Sequence, residues 1–406
     1  MPSTPDIMGS MLSVEVAFNG TTFESLAGKF RRVSTKRGAN RTQQPIQRYE
    51  AGTGEVALIN HDREFDPTHL TGPHVSGGQT QILPMRPIRI RATWNSVTYG
   101  LMRGYVDAWN LDWNGPNWSE VIVPFTDGFK VLASYNRVGL ETPVGEGELS
   151  GARINRILDS ADWPAGLRSI ATGNSPMQGT TLANNALTEC HLVSDSEVGE
   201  FYINGDGNAV FRNRHAIFLD SRSNTPQATF GDAGSELKYK NNGLSLSYDH
   251  TTLANLVTAA RTNSEQQTAS SSTSIDEYLV QSFNRTDLLL QTDGEVLSFA
   301  QWVLFTSKDP ELRFTAMVVN PLRDPTNLFP QVLGREVGDR IRILRRPPGG
   351  GSTITRDVFI RGIQHNITPG TWLTTWTLQS ATDYGDFFTL NDAILGTLGN
   401  GVPMVF

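Results

Sequence analysis

Several features are scarce in this sequence of 406 residues, and each scarcity excludes a class of protein. The chain contains one cysteine, Cys190, so a framework of intrachain disulfides is excluded. No stretch approaches the roughly 20 uninterrupted apolar residues that span a bilayer. The first ten residues, MPSTPDIMGS, lack the basic and apolar regions of a signal peptide. We therefore expect no membrane-spanning segment and no secretion signal.

Positive charge is also in short supply. The chain has 34 Lys and Arg against 41 Asp and Glu, a formal net charge of -7. Tight capture of a nucleic-acid backbone needs clustered cations that displace counterions. Specific DNA binding is therefore not expected, although the charge does not exclude DNA that passes along the protein.

The familiar motifs of catalysis and metal binding are missing. The sequence has no GxSxG, no HExxH, no GxxxxGK[ST] and no paired cysteines. His61, His69 and His74 lie in a loop rich in turn residues, without the spacing that makes ligands converge, so solvated side chains are favoured over a metal site. The sequence NGDGN at 204–208 lacks the downstream Glu of a calcium loop, which favours a hairpin turn. We predict no catalytic residue, no cofactor and no metal, and hence not an enzyme.

The pattern that is present is that of a β-rich protein. Glycines (38) and prolines (21) are scattered and separate short runs of β-branched and aromatic residues. Asn19-Gly20 and the polar residues between Trp94 and Tyr99 predict hairpins. Strands are predicted at 14–18, 55–59, 87–92, 105–106, 199–203, 209–212, 244–248, 314–319, 340–344, 358–360 and 372–378.

Helical periodicity is confined to three segments. Apolar residues recur at helical spacing over 151–162, with Ser150 as the predicted N-cap, and over 180–190. A third helix is predicted to start at Asp293 and to stop before Pro310. The polar segment 262–274 is predicted to be an exposed or mobile loop. The resulting division is a β-domain at 1–127, an α/β domain at 128–224, a second β-domain at 225–385 and an apolar docking segment at 386–406.

Candidate functional residues are those suited to contacts between subunits or with partner proteins. Three tryptophans lie near Asp107, Asp112 and Glu120, which leaves open a carbohydrate groove, but interface burial is favoured for such aromatics. The predicted contact residues are Arg89, Arg91, Trp109, Trp113, Phe387, Phe388, Leu395, Leu398, Val405 and Phe406. The last six make an apolar C-terminal segment that we expect to dock on another subunit or on a partner protein.

Two blocks of sequence resemble the minor tail proteins and baseplate hubs of long-tailed bacteriophages, especially those of actinobacteria. The first block contains YEAGTGEVALIN (49–60), FDP (65–67), MRPIRI (85–90) and LMRGYV (101–106). The second contains EVGDRIRI (336–343), FIRGIQHNI (359–367) and WLTTWTL (372–378). Where members of the family often have Asp-Gly after the Asn, this chain has HDRE at 61–64, so the turn there is expected to differ.

The resemblance implies a β-rich α+β fold in which two tube-forming β-barrels flank an α/β domain. It further implies a homotrimeric, pseudo-sixfold ring at the tail tip of the virion. Its partners would be the distal tail or tail tube protein on one side and tip or spike proteins on the other, and DNA would pass through the lumen without specific binding. For an acidic chain, lumen positions are expected to be acidic or neutral on balance. The alternatives are a hexameric distal tail adaptor, a carbohydrate-binding receptor module and, last, a wall-degrading enzyme.

Overall fold

A computed structural model of the chain describes residues 10–40, 46–115, 118–136, 139–140 and 142–381. It is β-rich, with 40% strand and 21% helix and a large antiparallel sheet, which confirms the predicted β-rich character. No helix in these ranges is long and apolar enough to cross a membrane. Most of the predicted strands are present, several of them longer than the sequence indicated.

The first region of the chain consists of strands. They are β1 (Leu12–Val16), β2 (Glu24–Ser25), β3 (Phe30–Gly38), β4 (Glu50–Ile59), β5 (Val75–Ser76), β6 (Gln79–Thr80), β7 (Pro87–Trp94), β8 (Val97–Val106), β9 (Asn110–Gly115) and β10 (Trp118–Thr126). The predicted hairpin between Trp94 and Tyr99 is confirmed, with Asn95 and Ser96 both at positive φ as a two-residue turn requires. The first hairpin also forms, but its loop runs from residue 17 to 23, because the Asn19 side chain accepts hydrogen bonds from Thr21 and Thr22.

The second region mixes helices and a small sheet. It contains α1 (Phe129–Ser134), α2 (Ser150–Ser160), β11 (Arg168–Ile170), α3 (Ala186–Glu197), β12 (Glu200–Ile203), β13 (Ala209–Arg212), α4 (Ala216–Leu219) and α5 (Ser221–Asn224). The predicted cap of α2 was wrong: Leu149 is the N-cap, and the Ser150 hydroxyl donates to buried Glu197 instead. The second helix begins later than predicted, at Ala186 with Asn185 as its cap.

The third region returns to strands and contains the longest helix. It comprises β14 (Thr229–Gly231), β15 (Leu237–Lys238), β16 (Leu244–Ser247), β17 (Leu256–Arg261), β18 (Gln267–Ser270), α6 (Ser272–Tyr278), β19 (Ser282–Leu288), α7 (Asp293–Ser307), β20 (Arg313–Val319), α8 (Pro325–Gly334), β21 (Arg340–Arg345), β22 (Ile354–Thr368) and β23 (Thr371–Ser380). The loop predicted at 262–274 was wrong: polar strand β18 pairs with β17, and Ser271 caps α6. Helix α7 is capped by Thr292 in a capping box with Glu295, one residue before the predicted Asp293.

Most strands of the first and third regions belong to one continuous sheet; the exceptions are the pair β5 and β6 and the three-stranded sheet of β17, β18 and β19. Strand β3 pairs with β22, so the order β10-β4-β3-β22-β23-β20-β16 is unbroken. Cross-strand neighbours along this sheet form an apolar row of fully buried side chains: Val123, Val56, Val33, Ile367 and Trp372. The largest hydrophobic core therefore takes residues from both regions. Whether each region is also a barrel of its own remains a prediction.

Two further cores lie beside this one. Helices α2 and α3 pack with β12 and β13 through residues such as Ile154, Val193 and Phe211. Helix α7 packs on β17 through Val257, Phe299 and Val303. Helices α2, α3 and α7 thus bury their apolar faces outside the core of the large sheet.

Candidate functional site

The face of the large sheet opposite the core is polar. Residues of five adjacent strands form one cross-strand row, Thr126, Thr53, Lys36, Gln364 and Thr375. A second row contains Pro124, Glu55, Ser34, Asn366 and Leu373. Because side chains alternate between the faces of a strand, these rows lie opposite the buried apolar row. We call this surface the polar sheet face.

The polar sheet face is nearly neutral. Its two rows contain one cation, Lys36, and one anion, Glu55; the other members are hydroxyl and amide side chains together with Pro124 and Leu373. Arg32, at the margin, donates to Glu55 over 3.0 Å, and both side chains are substantially exposed. Short polar side chains with balanced charge keep a surface hydrated without attracting a polyanion.

The sheet has an open edge at β16. Among the described strands, β16 pairs only with β20, so its outer backbone groups have no strand partner there. Leu246 on this strand is 40% exposed, and Tyr248 beyond it is 65% exposed. The sequence predicted this strand correctly; of its two leucines, Leu244 packs against the core and Leu246 does not. An open edge with exposed apolar side chains is a template for pairing with another strand.

A buried ion-pair network fastens the α/β region to the sheet. Glu200 on β12 accepts hydrogen bonds from Arg361 on β22, from Arg212 over 2.8 Å and from the Tyr49 hydroxyl over 3.2 Å. Arg361 also donates to Gln379 on β23. Burial pushes the pKa of Glu200 upward, but Arg361 and Arg212 outweigh it and hold that pKa below its ordinary value. The carboxylate therefore stays ionised between two buried guanidinium groups.

Three other arginines form further ion pairs between the regions of the chain. Arg37 at the end of β3 donates to the Leu101 carbonyl over 3.1 Å and forms an ion pair with Glu336. Arg48 donates to Asp195 on α3 over 2.8 Å, and Arg285 does so from β19. Burial raises the pKa of Asp195 even though both arginines oppose it. Sheet, helices and the β17 to β19 layer are therefore joined by charge pairs as well as by apolar packing.

The predicted contact residues differ in their surroundings. Arg89 and Arg91 both bind Glu15 on the neighbouring strand, through Nε at 2.7 Å and 3.0 Å, and about a third of each side chain is exposed. Trp109 is stacked near Phe18 and donates to the Leu83 carbonyl over 3.0 Å. These three residues have partners within the chain, and their role in subunit contacts remains a prediction.

Of the other predicted contact residues, one is exposed and the rest lie outside the described part of the chain. Trp113 on β9 is 67% exposed, so most of its indole ring is free to meet a partner. The apolar C-terminal residues Phe387, Phe388, Leu395, Leu398, Val405 and Phe406 lie outside the described residues. Their docking role therefore stays a prediction.

The three loop histidines have separate environments. His74 is stacked on Phe18 with ring centres 3.7 Å apart, His69 lies near the Arg63 carbonyl, and His61 lies beside Trp118. Across the described ranges, no three His, Cys, Asp or Glu side chains converge in a way that could hold a metal ion.

Comparison with solved structures identifies proteins with the same arrangement of strands and helices. The tail protein from Neisseria meningitidis MC58 matches with a TM-score of 0.56 at 13% identity, over 91% of this chain and 97% of that one. The 43 kDa tail protein of prophage MuSo2 from Shewanella oneidensis matches with a TM-score of 0.55 at 11% identity, over 92% and 97%. The chain shares the fold of these tail proteins. No family model and no curated protein matches the chain.

This likeness agrees, at the level of the fold, with the resemblance to phage tail proteins seen in the sequence. The narrower resemblance to actinobacteriophage proteins is not established by it. Sequence patterns missed the Glu200 network and the pairing of β3 with β22. One usable signal was the repeated Arg-Gly pair at 37–38 and 361–362, because the strand pairing shifts register at both pairs.

Proposed function

We propose that the chain is a structural hub of a phage tail, a ring that closes the distal end of the tail tube and lines the path of the DNA. The ring is a homotrimer in which two β-barrel parts of each subunit give pseudo-sixfold symmetry. The fold shared with two tail proteins over more than nine tenths of the chain supports a structural role in a tail. The ring joins the tube or distal tail protein to tip or spike proteins.

The observation that carries this proposal is the polar sheet face. A conduit for DNA needs an extended surface that stays hydrated and does not bind phosphate. The two rows are mainly polar, and Lys36 and Glu55 are their balanced charges, so they have this chemistry. On the other side of the same strands, the apolar row from Val123 to Trp372 is packed in the core, so the polar sheet face is rigid. We assign this face to the lumen.

The open edge of β16 supplies a means of closing the ring. Backbone pairing of β16 with a strand of the next subunit would satisfy its outer groups and cover Leu246 and Tyr248. Repetition of such a head-to-tail contact around an axis generates a closed ring. The apolar segment 386–406 is assigned a second contact, on a neighbouring subunit or a tip protein.

The test is the mass of the assembly and its dependence on β16. We expect native mass spectrometry of the full chain to give three copies per ring. Leu246→Lys places a charge on the open edge and should raise the concentration needed for assembly at least about tenfold, because a lost leucine contact of about 1.5 kcal/mol corresponds to roughly that factor.

The matched control is Leu219→Lys, which charges a side chain that is 75% exposed on short helix α4 instead of a strand edge. It should assemble like the unmodified protein. Six copies per ring would favour the distal tail adaptor over the hub, and a monomer at every accessible concentration would refute a ring. Normal assembly of Leu246→Lys would refute the role of β16.

A further inference from the structure

The hairpin of β9 and β10 carries two tryptophans that are exposed to solvent to different degrees. Trp113 is 67% exposed and Trp118 is 39% exposed. Both line a cleft of about 510 Å³ together with Asn60, His61 and Ser119. Exposing large aromatic side chains to water is unfavourable. Trp109 stacks on Phe18 within the chain, but Trp113 and Trp118 lie in a concave surface, and this position needs an explanation.

The cleft is held in shape by its own contacts. The Arg31 guanidinium lies 4.0 Å from the centre of the Trp118 ring, and the His61 ring is 5.1 Å away at an angle of 59°. The Ser119 amide donates to His61 Nδ1 over 3.4 Å, which leaves the proton of the neutral ring on Nε2 as a donor. Trp118 is thus fixed in place while Trp113 presents its ring.

The composition of the cleft distinguishes between classes of ligand. Among the described residues its lining has no aliphatic side chain, whereas the centre of a protein interface is mainly apolar. Indole rings alternate with amide, hydroxyl, imidazole and guanidinium groups. A sugar ring needs this combination, because its C–H face packs on an aromatic ring while the hydroxyls at its rim need hydrogen-bond partners. The volume also lies within the range of small-molecule sites, roughly 300–1,000 Å³.

Two carboxylates near these tryptophans in sequence are placed elsewhere. Asp112 and Glu120 are cross-strand partners, and neither is among the described residues that line the cleft. A glycosidase needs two carboxyl groups on either side of the bond that it cleaves. The arrangement therefore suits binding of a sugar without hydrolysis.

We propose that this cleft is a saccharide-binding site in which Trp113 and Trp118 are the stacking surfaces and His61, Asn60 and Ser119 contact hydroxyl groups. The site is independent of the ring, and it adds recognition of a surface glycan to the proposed structural role.

The test measures tryptophan fluorescence of the full chain during titration with three probes: N-acetylchitotetraose, maltotetraose and tetragalacturonate. At least one should change the fluorescence and saturate. Trp113→Ala should weaken that binding at least about tenfold, and Trp118→Ala should do likewise. The matched control is Tyr248→Ala, which removes an aromatic side chain of nearly equal exposure, 65% against 67%, and should leave binding unchanged. Circular dichroism verifies that each variant is folded.

Three outcomes would overturn the site. One is the absence of saturable binding with all three probes. Another is binding that survives both tryptophan substitutions. The third is an assembly defect of Trp113→Ala in native mass spectrometry together with unchanged sugar binding, which would make the cleft a subunit contact. None of these outcomes bears on the number of copies in the ring, so failure here and failure of the hub proposal are distinguishable.

Discussion

The Glu200 network allows a sharp test of how the α/β region is attached to the sheet. The perturbation is Glu200→Gln, which keeps the size of the side chain and removes its charge. The side chains of Glu200, Arg361 and Arg212 are 8%, 2% and 12% exposed, so solvent screens their interaction little. The substitution withdraws the anion that both guanidinium groups bind, and it places an amide N–H₂ where only acceptors are useful.

The expected loss follows from these contacts. Removing one partner of a buried ion pair costs roughly 3–5 kcal/mol. Arg212 keeps Asp220 at 3.1 Å and the Ser223 hydroxyl, which reduces the loss. We therefore expect Glu200→Gln to lower the free energy of unfolding by about 3 kcal/mol. Removing the cation as well, in Glu200→Gln with Arg361→Met, should be less damaging than the sum of the two single substitutions.

The assay is urea denaturation followed by circular dichroism, with hydrogen exchange in β12 and β22 to locate the loosened region. The control is Glu55→Gln, which breaks the exposed pair with Arg32 and should cost less than about 1 kcal/mol. Equal losses for Glu200→Gln and Glu55→Gln would show that the buried network does not hold the α/β region. Strict additivity of the double substitution would show that Glu200 and Arg361 are not coupled.

Two further predictions concern single residues of the sheet. Burial raises the pKa of Asp127 from its ordinary 3.8 to about 7. Between these two pH values the unfolded chain loses the proton while the folded chain keeps it, so the free energy of unfolding falls as the pH rises. The free energy of unfolding of Asp127→Asn relative to the unmodified protein should therefore rise between pH 4 and 7, and a constant difference would contradict this. Gly54→Ala would place its Cβ 2.2 Å from Phe125 Cζ in the core and should cost about 1–3 kcal/mol by thermal denaturation. Gly166→Ala, which has no atom within 4 Å of its Cβ, should cost much less, and equal losses would refute the packing argument.

Strands could be predicted where one face is buried and the other is not. In β7, Ile88 and Ile90 are buried while Arg89 and Arg91 are partly exposed, so the sequence alternates with the period of the strand. The same holds for Trp372 and Trp376 of β23. Prediction failed at β18, whose sequence QTAS has one apolar residue, the buried Ala269, because its pairing with β17 depends on neighbours that the local pattern does not contain.

The functional surfaces were less predictable than the strands. The polar sheet face exists only because β3 and β22, far apart in sequence, lie side by side, and local periodicity has no information on that register. Arg89 and Arg91 were predicted as contacts because they are charged on an outer face, yet both bind Glu15 of β1. The sequence did not predict that Trp113 is exposed whereas Trp109 is partly buried, since the two residues have similar neighbours in the sequence.

The pairing of β3 with β22 also explains why the α/β region is attached through arginines. The register of β3 against β4 shifts next to Gly38, that of β22 against β23 shifts next to Gly362, and these two glycines are cross-strand partners. A Cβ on Gly38 would lie 2.4 Å from the Arg361 carbonyl oxygen, so only glycine permits this close approach. Arg361, the extra residue of the bulge in β22, forms an ion pair with Glu200, and Arg37, which precedes Gly38, forms one with Glu336. The two regions of the sheet are therefore joined, and the α/β region is fastened, at one and the same point.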